Sequence, residues 1–380
     1  MANPVKELHE KQGQSPWLDF IRRKTLNDGG LRRYVEQDGI RGVTANPTIF
    51  AQAIGAGDDY DAQIAELVGS GVAVHDLFEH LALVDIAQAA DIMRPVFDEA
   101  RSDGFVSIEV SPEKAFEAQP TIDEAKRWWK KIDRPNLLVK IPATAEGLPA
   151  VEECIAAGVN INVTLIFALS FYERVMEAYI RGLERRVEAG LDVRDCNSVA
   201  SFFVSRVDTA ADKLIQSKIA AAKSDAERKQ LEGLLGQAAN ANAKVAYQRF
   251  RDVFGSERFK KLQAKGAKVQ RPLWASTGTK NPAYSDILYV QELIGPDSVN
   301  TMPPATIDAF RDHGVARRTI DEGVEGARRV LDGLADAGIS LDEITDKLQA
   351  EGVEAFSKSF DQINETTAAK AAQIKKVSVA

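Results

Sequence analysis

The sequence predicts an α/β protein folded as a closed (β/α)8 barrel with extra helices, and three observations carry that prediction. Short strand-like runs alternate with stretches of helical period through most of the 380 residues, the pattern of a parallel sheet covered by helices. Eight such runs can be counted, the number that closes this kind of barrel. Several of them also carry polar side chains near their C-terminal ends, where the strands of such a barrel converge on one mouth.

In chain order the runs are SPWLDFI (15–21), GVTANP (42–47), FVSIEVS (105–111), NLLVKIPA (136–143), VNINVTLIF (159–167), SVASFFVS (198–205), RPLWAST (271–277) and SVNTMPP (298–304). Between them, TIDEAKRWWKKID (121–133), AEGLPAVEECIAAG (145–158) and SFYERVMEAYIRGLERRVEAG (170–190) have helical period, with Gly158 and Gly190 placed as C-terminal stops. Residues 206–270 are rich in Ala, Lys, Gln and Glu and read as several helices, and the residues after 304 also read as helical. No Pro-, Gly- or Ser-rich linker divides the chain, so residues 1–380 are expected to form one barrel domain with a helical insertion and a helical tail. An open doubly wound sheet would use the same alternation. Its phosphate-binding glycine signature fails, because Gly55-Ala56-Gly57 is followed by Tyr60 where a third glycine belongs.

Composition narrows the function. A formal net charge of −8, with no basic cluster interleaved with aromatics, argues against nucleic acid or an anionic membrane as a partner. Cys154 and Cys196 give neither a disulfide framework nor a metal spacing, and His9, His75, His80 and His313 are too scattered for zinc, so no metal is expected. The polar N-terminus has no signal-peptide core and no run approaches membrane-spanning length, which points to a cytoplasmic protein. A monomer and a homodimer are both compatible with the acidic, helix-rich sequence.

Strands in a closed parallel barrel are buried on both faces, so an ionisable group within one is costly unless paired or functional. Alternation places Ser107, Glu109 and Ser111 on the inward face of the third run, and Leu138 and Lys140 on that of the fourth. The fifth presents Asn162 and Thr164 on one face, with Val163, Leu165 and Phe167 on the other; in the sixth, Ser201, Phe203 and Ser205 share a face. Asp19 and Asn46 stand near the ends of the first two runs. Asp19, Asn46, Glu109, Lys140, Asn162, Thr164 and Ser201 are thus expected to line one pocket. The bland alternative is a buried structural Lys140–Glu109 ion pair, but packing needs one partner per charge, and this set offers an amine, two carboxylates, two amides and hydroxyls. An amine held out of water loses its proton more readily, and the free amine attacks a ketone to form a Schiff base.

VTANPTIF, SIEVS, LLVKIPAT, INVTLIF and SFFVSR, in this order and spacing, resemble the transaldolase family. The likeness covers residues 15 to about 310, and the 206–270 stretch with ASTGTKNP is most similar to the longer bacterial members. The resemblance implies a cofactor-free enzyme of the non-oxidative pentose phosphate pathway. It would move a dihydroxyacetone unit from sedoheptulose 7-phosphate or fructose 6-phosphate to an aldose phosphate. Lys140 matches the family's Schiff-base lysine, Glu109 and Thr164 the pair that hold a catalytic water, and Asp19 the base that deprotonates the hydroxyl on carbon 4. Asn46 and Asn162, with Ser201 beside them, match groups that hold the hydroxyls of the three-carbon unit. Phe203 borders the site and is implied in the balance of transfer against simple cleavage.

Arg206 of SFFVSR matches a phosphate-binding arginine, and Ser276 a second phosphate ligand. The better-known enterobacterial pattern has an arginine soon after that serine, whereas this chain continues Thr277, Gly278, Thr279, Lys280, so Lys280 is the expected replacement. Trp128-Trp129 reads as helix packing, and the sequons at Asn162 and Asn364 as coincidence in a chain without a secretion signal. An aldolase that releases free dihydroxyacetone would use the same lysine. A silent sugar-phosphate sensor on the same barrel is the rival from another class, against which the intact set Lys140, Glu109, Asp19 and Thr164 weighs.

Overall fold

All eight strand-like runs form strands in the computed structural model, which describes residues 3–379. They are β1 (Gln14–Asp19), β2 (Gly42–Thr44), β3 (Phe105–Glu109), β4 (Leu137–Pro142), β5 (Ile161–Ile166), β6 (Ser198–Phe203), β7 (Arg271–Ala275) and β8 (Ser298–Met302). All pair in parallel with their chain neighbours, and β1 pairs with β8, so the sheet closes as a (β/α)8, or TIM, barrel with extra helices. Every residue of β3 to β6 is buried, as expected when side chains fill the barrel on one face and helices cover the other.

Each strand stops short of its run at the mouth end, and local chemistry explains where. Asn46 leaves β2 to cap the helix Pro47–Gly55, its Oδ1 accepting the Ile49 amide at 3.0 Å. Ser276 ends β7 by turning to φ 56°. Ser205 and Pro304 each begin a helix.

One face assignment is corrected. Strict alternation places Phe167 on the face of β5 opposite Asn162 and Thr164, yet its ring centroid lies 5.1 Å from that of Phe203, which is on the cavity wall. The cause is an irregularity in the β5–β6 pairing between Val163 and Ile166, where Leu165 takes φ 57° and shifts the alternation by one residue.

Large side chains pack the barrel wall. Trp17 and Trp274 are fully buried, Trp274 in edge contact with Phe202 at 6.1 Å. Trp17 lies so close to Gly42 that a Cβ there would come within 2.3 Å of the indole. At the N-terminal end, buried Asp103 accepts from Arg41 Nε at 2.8 Å, Arg271 Nη2 at 2.9 Å and Ser15 Oγ at 2.9 Å.

The 206–270 stretch is helical as expected, in the helices Ser205–Ala221, Asp225–Glu232, Ala238–Phe254 and Glu257–Gln263. The tail adds Pro304–His313, Val324–Asp336 and the long helix Leu341–Val379. That last helix crosses the mouth. It bonds to the loop after β4 through Gln349 Nε2 and Ala143 O at 2.7 Å, and to the helix after β2 through Ser359 and Thr48 at 2.8 Å. Gly352 lets it settle on the β5 irregularity, since a Cβ there would lie 3.0 Å from Leu165 Cδ2. No helix among the described residues is long and apolar enough to cross a membrane.

Candidate active site

A cavity of about 200 Å³ opens where the strands end. Of the residues expected to carry the chemistry, Asp19, Asn46, Lys140, Thr164, Ser201, Phe203, Arg206 and Ser276 are on its wall. Glu109, Asn162 and Lys280 are not. Glu109 and Asn162 flank Lys140 in one register row, Glu109 on β3 and Asn162 on β5. Two residues nearer the mouth on β5 stands Thr164, which accounts for its reaching the wall where Asn162 does not. Both ends of the Asn162 amide are taken, Nδ2 donating to Ser107 Oγ at 3.1 Å and Oδ1 accepting from Ser201 Oγ at 2.7 Å. Asn162 therefore orients Ser201, which does face the cavity.

Lys140 sits on β4, 5 % exposed. Its Nζ donates to the Ala45 carbonyl at 3.1 Å and lies 3.8 Å from Glu109 Oε2, near enough for attraction and too far for a hydrogen bond. Burial pushes the Glu109 carboxyl up to about 7 against the pull of Lys140, and the charge of Asp19 adds to the rise. Neither Glu109 oxygen, nor the hydroxyl of Thr164, has a hydrogen-bond partner among the described residues. Such buried orphans are uncommon in folded proteins. Burial also raises the pKa of Asp19, opposed by Lys140 and by the Thr44 hydroxyl that donates to Asp19 Oδ1 at 2.6 Å. Thr44 is held in turn by Thr301 at 2.6 Å.

The other end of the cavity is basic. Arg206 lies in the first turn of its helix, its guanidinium carbon 5.5 Å from the Phe203 ring centroid. Beside it, the Ser276 hydroxyl is 3.0 Å from that of Ser205. Lys280 lines a neighbouring cavity of about 220 Å³ with Asp208, Asp212, Tyr284 and Tyr289. Burial lowers its pKa, and Arg206 lowers it further, so the two cations feel each other. Burial also lowers the pKa of Arg206, opposed by the charge of Glu351 on the long C-terminal helix.

Sequence reasoning missed Thr44, Thr301 and Phe356 on the cavity wall. Strand periodicity could have found Thr301, a polar residue near the mouth end of β8, and Thr44, two before Asn46. Phe356 had no such signal, because the long helix Leu341–Val379 brings it over the mouth from far along the chain.

Comparison with known proteins accords with this geometry. The family model described as transaldolase/fructose-6-phosphate aldolase matches residues 16–367. A transaldolase of Saccharopolyspora erythraea is 47 % identical over 369 residues, covering 96 % of this chain and 97 % of its own. A transaldolase of Trichodesmium erythraeum is 44 % identical, covering 96 % of each chain. Transaldolase 2 of Streptomyces coelicolor is 45 % identical, covering 97 % of this chain and 98 % of its own. With matches of that extent, on a closed barrel whose mouth holds a buried lysine between carboxylates, the chain belongs to the transaldolase/fructose-6-phosphate aldolase family.

Proposed function

We propose that the transaldolase activity of this chain runs through a Schiff base on Lys140, and that its substrates are sugar phosphates. The observation that carries this reading is a buried lysine amine within 3.8 Å of a carboxylate whose pKa is pushed up to about 7. A carboxyl poised there can both give and take a proton near neutrality.

In the reaction the free Lys140 amine adds to carbon 2 of the ketose phosphate, giving a carbinolamine. Glu109 and Thr164 lie on the strands either side of that of Lys140, both with unpartnered oxygens, suited to hold the water through which the carbinolamine hydroxyl is protonated and lost. Asp19 takes the proton from the hydroxyl on carbon 4. The bond between carbons 3 and 4 then breaks, its electron pair moving into the iminium to leave an enamine, and the aldose phosphate departs. The enamine adds to the aldehyde carbon of the acceptor, Asp19 returns its proton to the new hydroxyl, and water releases the product from Lys140.

Asn46 and Ser201 are placed to hold the hydroxyls of the three-carbon unit, and Asn162 acts through Ser201. Arg206 and Ser276 form the phosphate end of the cavity, the planar guanidinium suited to two phosphate oxygens, and Lys280 acts on it as a point charge from the neighbouring cavity. Phe203 forms the wall between the two ends. No cofactor enters the scheme. We place the reaction in the cytoplasm, within the non-oxidative pentose phosphate pathway, on a single barrel domain that acts as a monomer or homodimer.

The test is intact-mass analysis after incubation with fructose 6-phosphate and borohydride, followed by peptide mapping. A three-carbon adduct on Lys140 is expected. Sugar-phosphate binding with no adduct on any lysine would overturn the mechanism and favour a silent sensor.

A further inference from the structure

Asp208 and Asp212 stand one helical turn apart on the helix whose first turn carries Arg206, so their side chains share a face. Each is buried and each bridges two other segments in the same way. Asp208 Oδ1 accepts the Ala239 amide at 2.7 Å and its Oδ2 the Tyr289 hydroxyl at 2.8 Å. Asp212 Oδ1 accepts the Gly236 amide at 2.9 Å and its Oδ2 the Tyr284 hydroxyl at 2.6 Å. The two tyrosines belong to the segment after β7 that carries Ser276 and Lys280. Within that segment Thr279 Oγ1 donates to Ser285 O at 2.8 Å, and the Tyr284 amide to Asn281 O at 3.1 Å, so Lys280 is joined to Tyr284 by a closed turn.

This duplicated connection answers a physical problem. Arg206, partly buried, and Lys280, exposed, are like charges, and Arg206 lowers the pKa of Lys280; Ser276 holds a left-handed φ of 56° that an L residue adopts reluctantly. Left to itself the segment would relax away from Arg206. Burial and the adjoining carboxylates raise the pKa of both tyrosines, which keeps them as donors.

We propose that Tyr284 and Tyr289, through Asp212 and Asp208, are positioning residues that hold Ser276 and Lys280 against Arg206 and so set the affinity for the substrate phosphate without touching the chemistry at Lys140. The proposal rests on the phosphate assignment made above. Its test is the Tyr284→Phe/Tyr289→Phe variant, which removes only two hydroxyls. The KM for fructose 6-phosphate and the Ki for inorganic phosphate should each rise about fivefold, with kcat within twofold of the parent.

Arg206→Gln, measured in parallel, separates the two levels of the argument. If it weakens phosphate inhibition while the tyrosine variant leaves both KM and Ki unchanged, the clamp is wrong and the phosphate site stands. If it leaves phosphate inhibition intact, the site assignment fails and the clamp falls with it. A loss of kcat at constant KM in the tyrosine variant overturns the clamp too. Should the double variant not fold, Tyr284→Phe alone decides, because phenylalanine keeps the ring that packs on Gly236; a KM and Ki rise of about twofold or more supports the clamp and unchanged values overturn it.

Discussion

Lys140 and Glu109 occupy opposed positions on adjacent strands, with Nζ 3.8 Å from Oε2, and the attraction does not offset what burial does to the carboxyl. A structural ion pair would close to hydrogen-bond distance and hold the acid ionised; this one leaves Glu109 half protonated near neutral pH.

The first prediction follows from that imbalance. Because the folded-state pKa of Glu109 lies near 7, above its ordinary 4.5, its contribution to stability is complete below 4.5 and lost as pH rises through 7. Glu109→Gln should therefore be more stable than the parent at pH 8 by up to about 3 kcal/mol, the difference shrinking towards pH 4.5. Urea unfolding at the two pH values measures it. The kcat profile of the parent should bend near pH 7, and that bend should vanish in the variant.

On the proposed mechanism, Asp19 acts in bond cleavage and not in Schiff-base formation. Asp19→Asn should lower kcat about 10²- to 10³-fold while borohydride still traps substrate on Lys140. Loss of trapping would reassign Asp19 to an earlier step. Thr44→Val, which removes the 2.6 Å hydrogen bond to Asp19, should raise the pKa of that carboxyl further and shift the acid limb of activity upward.

Phe356 lies over the cavity and is 5 % exposed. Replacing it with alanine should admit water to the enamine, so that dihydroxyacetone release rises severalfold relative to transfer. An assay of free dihydroxyacetone with and without an acceptor aldose gives the ratio, and an unchanged ratio would assign the exclusion of water to other residues.

Asp103, at the opposite end of the barrel, should matter only to stability. Burial favours its neutral form, but Arg271 and Arg41 outweigh that and hold its pKa below the usual range. Asp103→Ala leaves both guanidinium groups without their carboxylate and should cost about 3–5 kcal/mol, read by urea titration, with KM for fructose 6-phosphate unchanged.

The barrel was legible because its signal is local. Each strand announces itself in a few residues, and the polar positions on β3 to β6 follow from a period of two. What escaped had non-local or sub-residue causes. The displaced Phe167 follows from a left-handed Leu165 that no alternation rule anticipates. Glu109 and Asn162 share the inward face with Lys140, yet whether a side chain reaches the wall depends on its depth along the strand and on its partners, here Ser107 and Ser201 for Asn162. Lys280 reads from its own motif as a stand-in for an absent arginine, and the two tyrosine–aspartate bonds that tie its segment to a different helix lie outside that motif.

The long helix over the mouth ties the pocket to the order of synthesis. All eight strands are encoded by Met302, but the residues that cover them come later, and Ser359 meets a threonine 311 positions upstream. A nascent chain can thus assemble the reactive lysine and its carboxylates while their roof is still missing. During that interval any enamine formed would be open to water and would be wasted by hydrolysis. On the proposed mechanism, transfer rather than cleavage would begin only when the helix docks, which would make faithful chemistry a late event in the maturation of each molecule.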